Sequence, residues 1–256
     1  MHELGHTRSA YRRDHLLQTP DTFVRIPLPC LTKAMAIVHT GAAAGAAFAE
    51  FTVEFDLGGT LSGVGLQRFV YVLEGELTLR AGGGEHRLGA GAFAYVPAFV
   101  THGFAAESGG RAVVIERLAR ARETTTGGQR ARVVVGREEE CVSLPLMDDE
   151  DLQVRSLMPS GVEYDFAVNT MTYRPGAALS MVEVHVMEHG LLMLEGGGIY
   201  RLGDQWYPVR AGDFIWMAPF CPQWFGAIGK APAKYLIYKD WNQHPLTPSG
   251  DGGDKA

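Results

Sequence analysis

A chain of 256 residues that is 46% hydrophobic, 10% aromatic and 20% charged has the make-up of a folded protein with one sizeable core or two smaller ones, which excludes disorder as its main state. Its 23 Lys+Arg against 29 Asp+Glu give a net charge of -6, the wrong sign for a phosphate-backbone partner, and the basic residues between 118 and 137 are too dilute for a local patch. Cys30, Cys141 and Cys221 are scattered, odd in number and outside any Cys-x-x-Cys spacing, so neither a disulfide framework nor a zinc site is expected. With no 18-residue apolar run and no signal-peptide pattern, the expectation is a cytoplasmic protein with neither membrane nor nucleic acid as partner.

In chain order, His2-Glu3-Leu4-Gly5-His6 matches His-Glu-x-x-His, but a glycine at a chain end cannot supply the helix that this zinc motif needs. Residues 12–17 and 148–152 are the best short candidates for helix. Between them, FVYVLEGELTLRAGGGEHRLGAGAFAYVPAFVTHGFA (69–105) breaks into strands of four to eight residues punctuated by glycine. Gly82-Gly83-Gly84 lacks a following Gly-Lys-Ser/Thr and reads as a hairpin loop. A polar stretch, ARARETTTGGQRAR (119–132), follows as a linker, and then the β pattern returns in LLMLEGGGIYRLGDQWYPVRAGDFIWMAPFCPQWFGA (191–227). The two copies share an offset of 121: Leu73-Glu74-Gly75 with Leu194-Glu195-Gly196, Gly91 with Gly212, Phe93 with Phe214, His102 with Gln223. An internal duplication of all-β sandwiches or barrels is therefore predicted, with an N-terminal domain over 1–125, a C-terminal domain over 133–245 and a frayed tail over 246–256.

The most informative segment is Glu183-Val-His185-Val-Met-Glu188-His189. Read as a strand, it puts Glu183, His185 and His189 on one face and Glu188 on the other, as a surface or interface carboxylate. Gln223, eleven residues after Gly212, would fold back beside them with an amide oxygen able to ligate. Two imidazoles, a carboxylate and an amide oxygen, without sulfur, suit Mn, Fe, Ni or Zn. Tyr235 and Lys239, four apart on a strand, share a face. In the first copy, His189 becomes Arg68 and the Glu-x-His pair becomes Ser62 to Val64, leaving His102 alone as a satisfied histidine in a scaffold barrel. Tyr200 could reach into the cavity or pack in the core, and is left outside the site.

These residues resemble the cupin superfamily, whose first motif is G(x)5HxH(x)3-4E(x)6G and whose second is G(x)5PxG(x)2H(x)3N. Here Gly176, Glu183-x-His185, His189 and Gly196 follow the first with ligand types permuted and one extra residue after Gly176, and Gln223 stands at the second motif's histidine. The permuted set is similar to that of the (S)-ureidoglycine aminohydrolase family, bicupins of allantoin breakdown, as are TRSAYRRDHLL near the N-terminus, VEVHVMEHG, LEGGGIYRL, WYPVRAGDFI and the Tyr235 to Asp240 segment. The resemblance spans essentially the whole chain and implies two tandem cupin barrels, the first degenerate. It further implies one Mn2+ held by Glu183, His185, His189 and Gln223, and substrate contacts from Glu183, Gln223, Tyr235 and Lys239. The implied reaction is hydrolysis of ureidoglycine, with Lys239 pairing the substrate carboxylate and Glu183 placed to shuttle a proton. An iron bicupin dioxygenase and a non-catalytic small-molecule-binding cupin are the alternatives. A homo-oligomer, most simply a dimer, is expected from the apolar run Phe69 to Leu73 in a metal-free barrel.

Overall fold

The computed structural model describes residues 6–63, 65–119 and 130–241, and these form two β-barrels built from strands, with 3-10 turns as their helical elements. The duplication is visible in the pairing register. His189 lies opposite Met217 in the second barrel, and Arg68 lies opposite Val96 in the first, each partner again 121 positions apart. One sheet of the second barrel runs, in spatial order, through Phe214–Met217, His189–Glu195, Ala233–Asp240, Phe166–Tyr173, Asp149–Ser156 and Ser143–Leu146. Its other sheet is Gln205–Arg210, Gly197–Leu202 and Gln223–Ala227. In the first barrel the long strands Ala49–Gly63 and Leu66–Ala81 pass through both layers. Leu66–Ala81 keeps its strand through Gly75 (φ 78°), whereas the equivalent Gly196 (φ 63°) separates two strands in the second barrel.

Continuous apolar runs such as Phe69-Val-Tyr-Val72 and Tyr235-Leu-Ile-Tyr238 form strands buried on both faces, so alternation in polarity is lost. Val70 and Val72 point into the first barrel with Leu77, Leu79 and Phe104. Phe69 and Tyr71 point the other way, into a third core shared between the barrels with Tyr95, Phe166, Leu192, Trp216 and Tyr238. Tyr235 and Ile237 face the second barrel's own interior with Leu191, Met193, Tyr200 and Phe225. Each such side chain contributes roughly 1.5 to 3 kcal/mol on burial. The run Phe69 to Leu73, from which an oligomer was expected, is thus spent inside the chain.

Both short segments expected as helix are strands. His15–Gln18 adds to the edge of Phe214–Met217, and Asp149–Ser156 pairs with Phe166–Tyr173. Pairing across the sheet outweighs weak local helical spacing. The first of these also shows that the sheets cross the linear division expected between residues 125 and 133. Ala10–Tyr11 and His15–Gln18 belong to the second barrel's sheet, while Val134–Arg137 joins the first barrel beside Ala92–Val96. Each arm covers a sheet edge of the other barrel. Gly82 and Gly83, both at positive φ, form a hairpin turn after Ala81, in agreement with the hairpin loop read from the sequence. Residues 1–5, 120–129 and 242–256, which include most of the His-Glu-x-x-His match, most of the linker and the tail, lie outside the described residues, as does Val64. Among the described residues no helix is long and apolar enough to cross a membrane.

Candidate metal and substrate site

The segment before His189 is not the strand expected of it. Only Glu183 is paired, through an isolated antiparallel bridge to Gln223 in which each backbone N–H meets the other's carbonyl at 2.8 and 2.9 Å. The peptide N–H of Phe220 donates to the His185 carbonyl at 2.7 Å, and regular strand begins at His189 itself. Strand parity therefore does not bring these side chains together. A pinned loop does, and it sets Glu183 beside the first residue of Gln223–Ala227.

His189 lies opposite Lys239 across the neighbouring strand, and Tyr235 sits four residues before Lys239 on the same face. His185 Nε2 meets Glu183 Oε2 at 3.1 Å, and the rings of His185 and His189 stand edge to face with centroids 5.2 Å apart. Gln223 is buried, its Oε1 accepting a hydrogen bond from the Tyr200 hydroxyl at 3.2 Å. Behind it the hydroxyls of Tyr173 and Tyr235 meet at 2.7 Å. Tyr173 was missed in the sequence because a buried aromatic reads as packing, and Tyr200 was left outside the site for want of a reason to choose between cavity and core; their hydroxyl contacts show that they back the site.

His189 is 3% exposed and neither ring nitrogen has a hydrogen-bond partner. Burial pushes its pKa down to about 3, helped by His185 and Lys239 and weakly opposed by the Tyr238 backbone, so the ring is neutral. A buried, neutral, unpartnered imidazole leaves polar atoms uncompensated, and neutral is the form that binds a metal ion. With a carboxylate, a second imidazole and an amide oxygen around it, the donor set fits a divalent cation. As the side chains stand, the donor atoms of Glu183, His185 and His189 are not all within 4.8 Å of one another, and the His185–Glu183 hydrogen bond is what an ion would replace. Among the described residues Lys239 pairs with no carboxylate. Its ammonium lies 5.2 Å from the Trp241 ring centroid, and burial lowers its pKa while Glu183 opposes the shift.

Glu188 turns away, as parity suggested, but is buried and not on the surface. Both of its oxygens accept the Ala47 N–H, at 2.8 and 2.9 Å, tying the site loop to the first barrel. In the first barrel Arg68 fills the place of His189. Its guanidinium pairs with Glu116 and reaches His102 Nε2 at 2.7 Å, while His102 Nδ1 donates to the Val100 carbonyl at 2.8 Å. His102 is thus a satisfied histidine. A cleft of about 570 Å³ at the barrel interface, along Tyr71 to Glu74 and Leu192 to Glu195, includes none of the candidate residues.

The Cupin domain family model matches residues 65–116 and 169–238, one segment in each barrel. The chain is 40% identical over 247 residues to the Probable (S)-ureidoglycine aminohydrolase of Oryza sativa subsp. japonica, covering 94% of this chain and 78% of that one. It is also 40% identical over 250 residues to the (S)-ureidoglycine aminohydrolase of Arabidopsis thaliana, covering 94% and 80%. Among solved structures, protein Ylba from E. coli superposes with a TM-score of 0.81 at 25% identity, covering 94% of this chain and 97% of the other.

Proposed function

The chain belongs to the (S)-ureidoglycine aminohydrolase family of cupins, and on that premise we propose that it hydrolyses (S)-ureidoglycine to (S)-ureidoglycolate and ammonia in purine catabolism, at the second barrel. Glu183, His185, His189 and Gln223 hold one Mn2+ per chain in this proposal, and Glu183, Gln223, Tyr235 and Lys239 contact substrate. The observation that carries it is His189, a buried imidazole with both nitrogens unpartnered, lying across the strand from a lysine that pairs with no carboxylate among the described residues. Cytoplasmic residence and a homo-oligomer belong to the same proposal; light scattering measures the assembled mass.

In the net reaction a C–O bond from water forms at the substrate carbon that carries the amine, the C–N bond breaks, and ammonia leaves with the proton that water gives up. Lys239 is suited to pair with the substrate carboxylate, since a half-buried ammonium without a carboxylate partner gains most from an anion. Glu183 Oε is the proton-holding atom beside it. The Gln223 amide and the Tyr235 hydroxyl offer neutral hydrogen bonds, and Tyr173, Tyr200 and Phe225 pack around Tyr235 in the second barrel's core. A bound divalent cation supplies Lewis acidity to a substrate nitrogen or oxygen. Ammonia release from freshly generated ureidoglycine is the test, with and without Mn(II) after chelation. Restoration by Mn(II) is expected; no release under either condition overturns the proposal.

A further inference from the structure

The spacing of the cysteines in sequence speaks against a metal site, yet Cys221 sits in a cluster that spacing cannot reveal. Among the described residues Asp14, His15 and Cys221 are the one group of three His, Cys, Asp or Glu side chains whose donor atoms all lie within 4.8 Å of one another. His15 and Cys221 are buried, and Asp14 is half-exposed. They are 206 positions apart, and the second barrel joins them by main-chain bonds. The Ala218 N–H donates to the Asp14 carbonyl at 2.9 Å, the Cys221 N–H to the Ala218 carbonyl at 3.1 Å, and the Gly203 N–H to the Pro222 carbonyl at 2.8 Å. A side chain at Gly203 would stand 3.1 Å from Asp14 Oδ2, so the glycine keeps that face of the cluster clear.

We propose that Asp14, His15 and Cys221 form a second divalent-cation site, of zinc type and distinct from the Glu183 site, that fastens the N-terminal arm to the second barrel. Bonds of about 2.0 to 2.3 Å from a tetrahedral ion put its ligands roughly 3.3 to 3.8 Å apart, so donor atoms within 4.8 Å of one another need a contraction of about 1.5 Å at most. His15 is already arranged for ligation through one nitrogen. Nδ1 meets Asp14 Oδ1 at 2.9 Å, while Nε2 meets the Tyr207 hydroxyl at 2.9 Å. Nδ1 and the carboxylate can both turn to a shared ion while Nε2–H stays on Tyr207, the outer hydrogen bond that orients a ligating imidazole. Water completes the fourth position on the open side.

Charge and softness favour the same ion class. Binding forms the S–metal bond as the thiol proton of Cys221 goes to solvent. Thiolate and carboxylate together offset the two charges of the ion, leaving a neutral, partly buried centre. A thiolate-imidazole set prefers zinc or cobalt, whereas the sulfur-free set at Glu183 suits manganese. An ion bound only by the folded chain also stabilises it, increasingly as its free concentration rises above Kd.

Cobalt(II) added to the full chain reads the site directly, since a thiolate ligand gives a near-ultraviolet charge-transfer band that the Glu183 set cannot produce. The band should appear with about one equivalent of ion and one proton released. It should vanish in Cys221→Ser and persist in Cys30→Ser and Cys141→Ser. Because Cys221 is buried and its replacement can impair folding, alkylation of the unaltered chain provides a second measure. Zinc should slow modification of Cys221 and leave Cys30 unchanged. Absence of a thiolate band, a band that survives Cys221→Ser, or a Cys221 that zinc does not protect overturns the proposal.

Discussion

Lys239 is the residue whose replacement separates substrate from metal. Lys239→Met is expected to lower kcat/KM ten- to a hundredfold, the ~1.5 to 3 kcal/mol of a charge-assisted hydrogen bond in a water-poor cavity, while metal content stays unchanged. Full kcat/KM in that variant would remove Lys239 from the substrate. Two other buried groups set the pH range of the fold. His39 is a neutral ring, donating from Nδ1 to Gln18 Oε1 and accepting at Nε2 from Thr52, both at 2.8 Å, and burial holds its pKa at about 3. Unfolded, it takes up its proton below about 6.5, so its contribution is full above that pH and is lost as pH falls toward 3. Glu50 has the opposite sign. Both its oxygens are unpartnered, and burial raises its pKa to about 8, so stability is full below about 4.5 and declines as pH rises through 8. Glu50→Gln should therefore raise the melting temperature at pH 8.5 more than at pH 5, and an equal effect at both would contradict a protonated Glu50. The candidate ligands were legible because ligand-capable residue types recur at cupin spacing. Glu50, His39 and Tyr200 were not, since their roles come from what the other barrel or the opposite strand sets against them.

At the scale of elements, the two arms carry information that the chain's linear order hides. Leu17 is fully buried in the second barrel's core although it lies 172 positions before His189. Leu17→Ala should cost about 2 to 5 kcal/mol and free the edge of Phe214–Met217, as measured by chemical denaturation. A loss of a few tenths would mean the arm is only loosely attached. Gly190 marks the tightest approach of the barrels beside the site. A Cβ there would lie 2.5 Å from Glu50 Oε2 and 2.6 Å from Phe48 Cζ, so Gly190→Ala is expected to destabilise by about 1 to 3 kcal/mol. The same denaturation assay checks it, and unchanged stability would mean that the neighbouring side chains give way freely. Strand identity in both copies was legible from glycine-punctuated apolar runs. The arm strands were not: RRDHLL has no alternation of its own, and only the edge of Phe214–Met217 makes it extended.

On the scale of the whole molecule, duplication has produced two barrels that depend on each other. The third core lies between them, and polar ties cross the same surface. Arg117 Nη1 reaches the Tyr238 hydroxyl at 3.0 Å and Asp240 at 2.9 Å, and Glu138 accepts from Tyr71 of one barrel and Lys234 of the other at 2.5 and 2.6 Å. A chain cut between 125 and 133 would leave the second barrel without His15–Gln18 and the first without Val134–Arg137, and would expose Phe69, Tyr95, Phe166 and Tyr238 to water. Losing that much buried apolar surface, at roughly 1.5 to 3 kcal/mol per side chain, is comparable with the ~5 to 15 kcal/mol of stability that a domain usually has. The intact chain should therefore unfold in one cooperative transition, with calorimetric and van't Hoff enthalpies in agreement. Residues 133–245 expressed alone should lack a native-like near-ultraviolet circular dichroism spectrum. Two separated thermal transitions, or a folded isolated second half, would show that the exchanged arms and the shared core decorate two barrels each stable by itself.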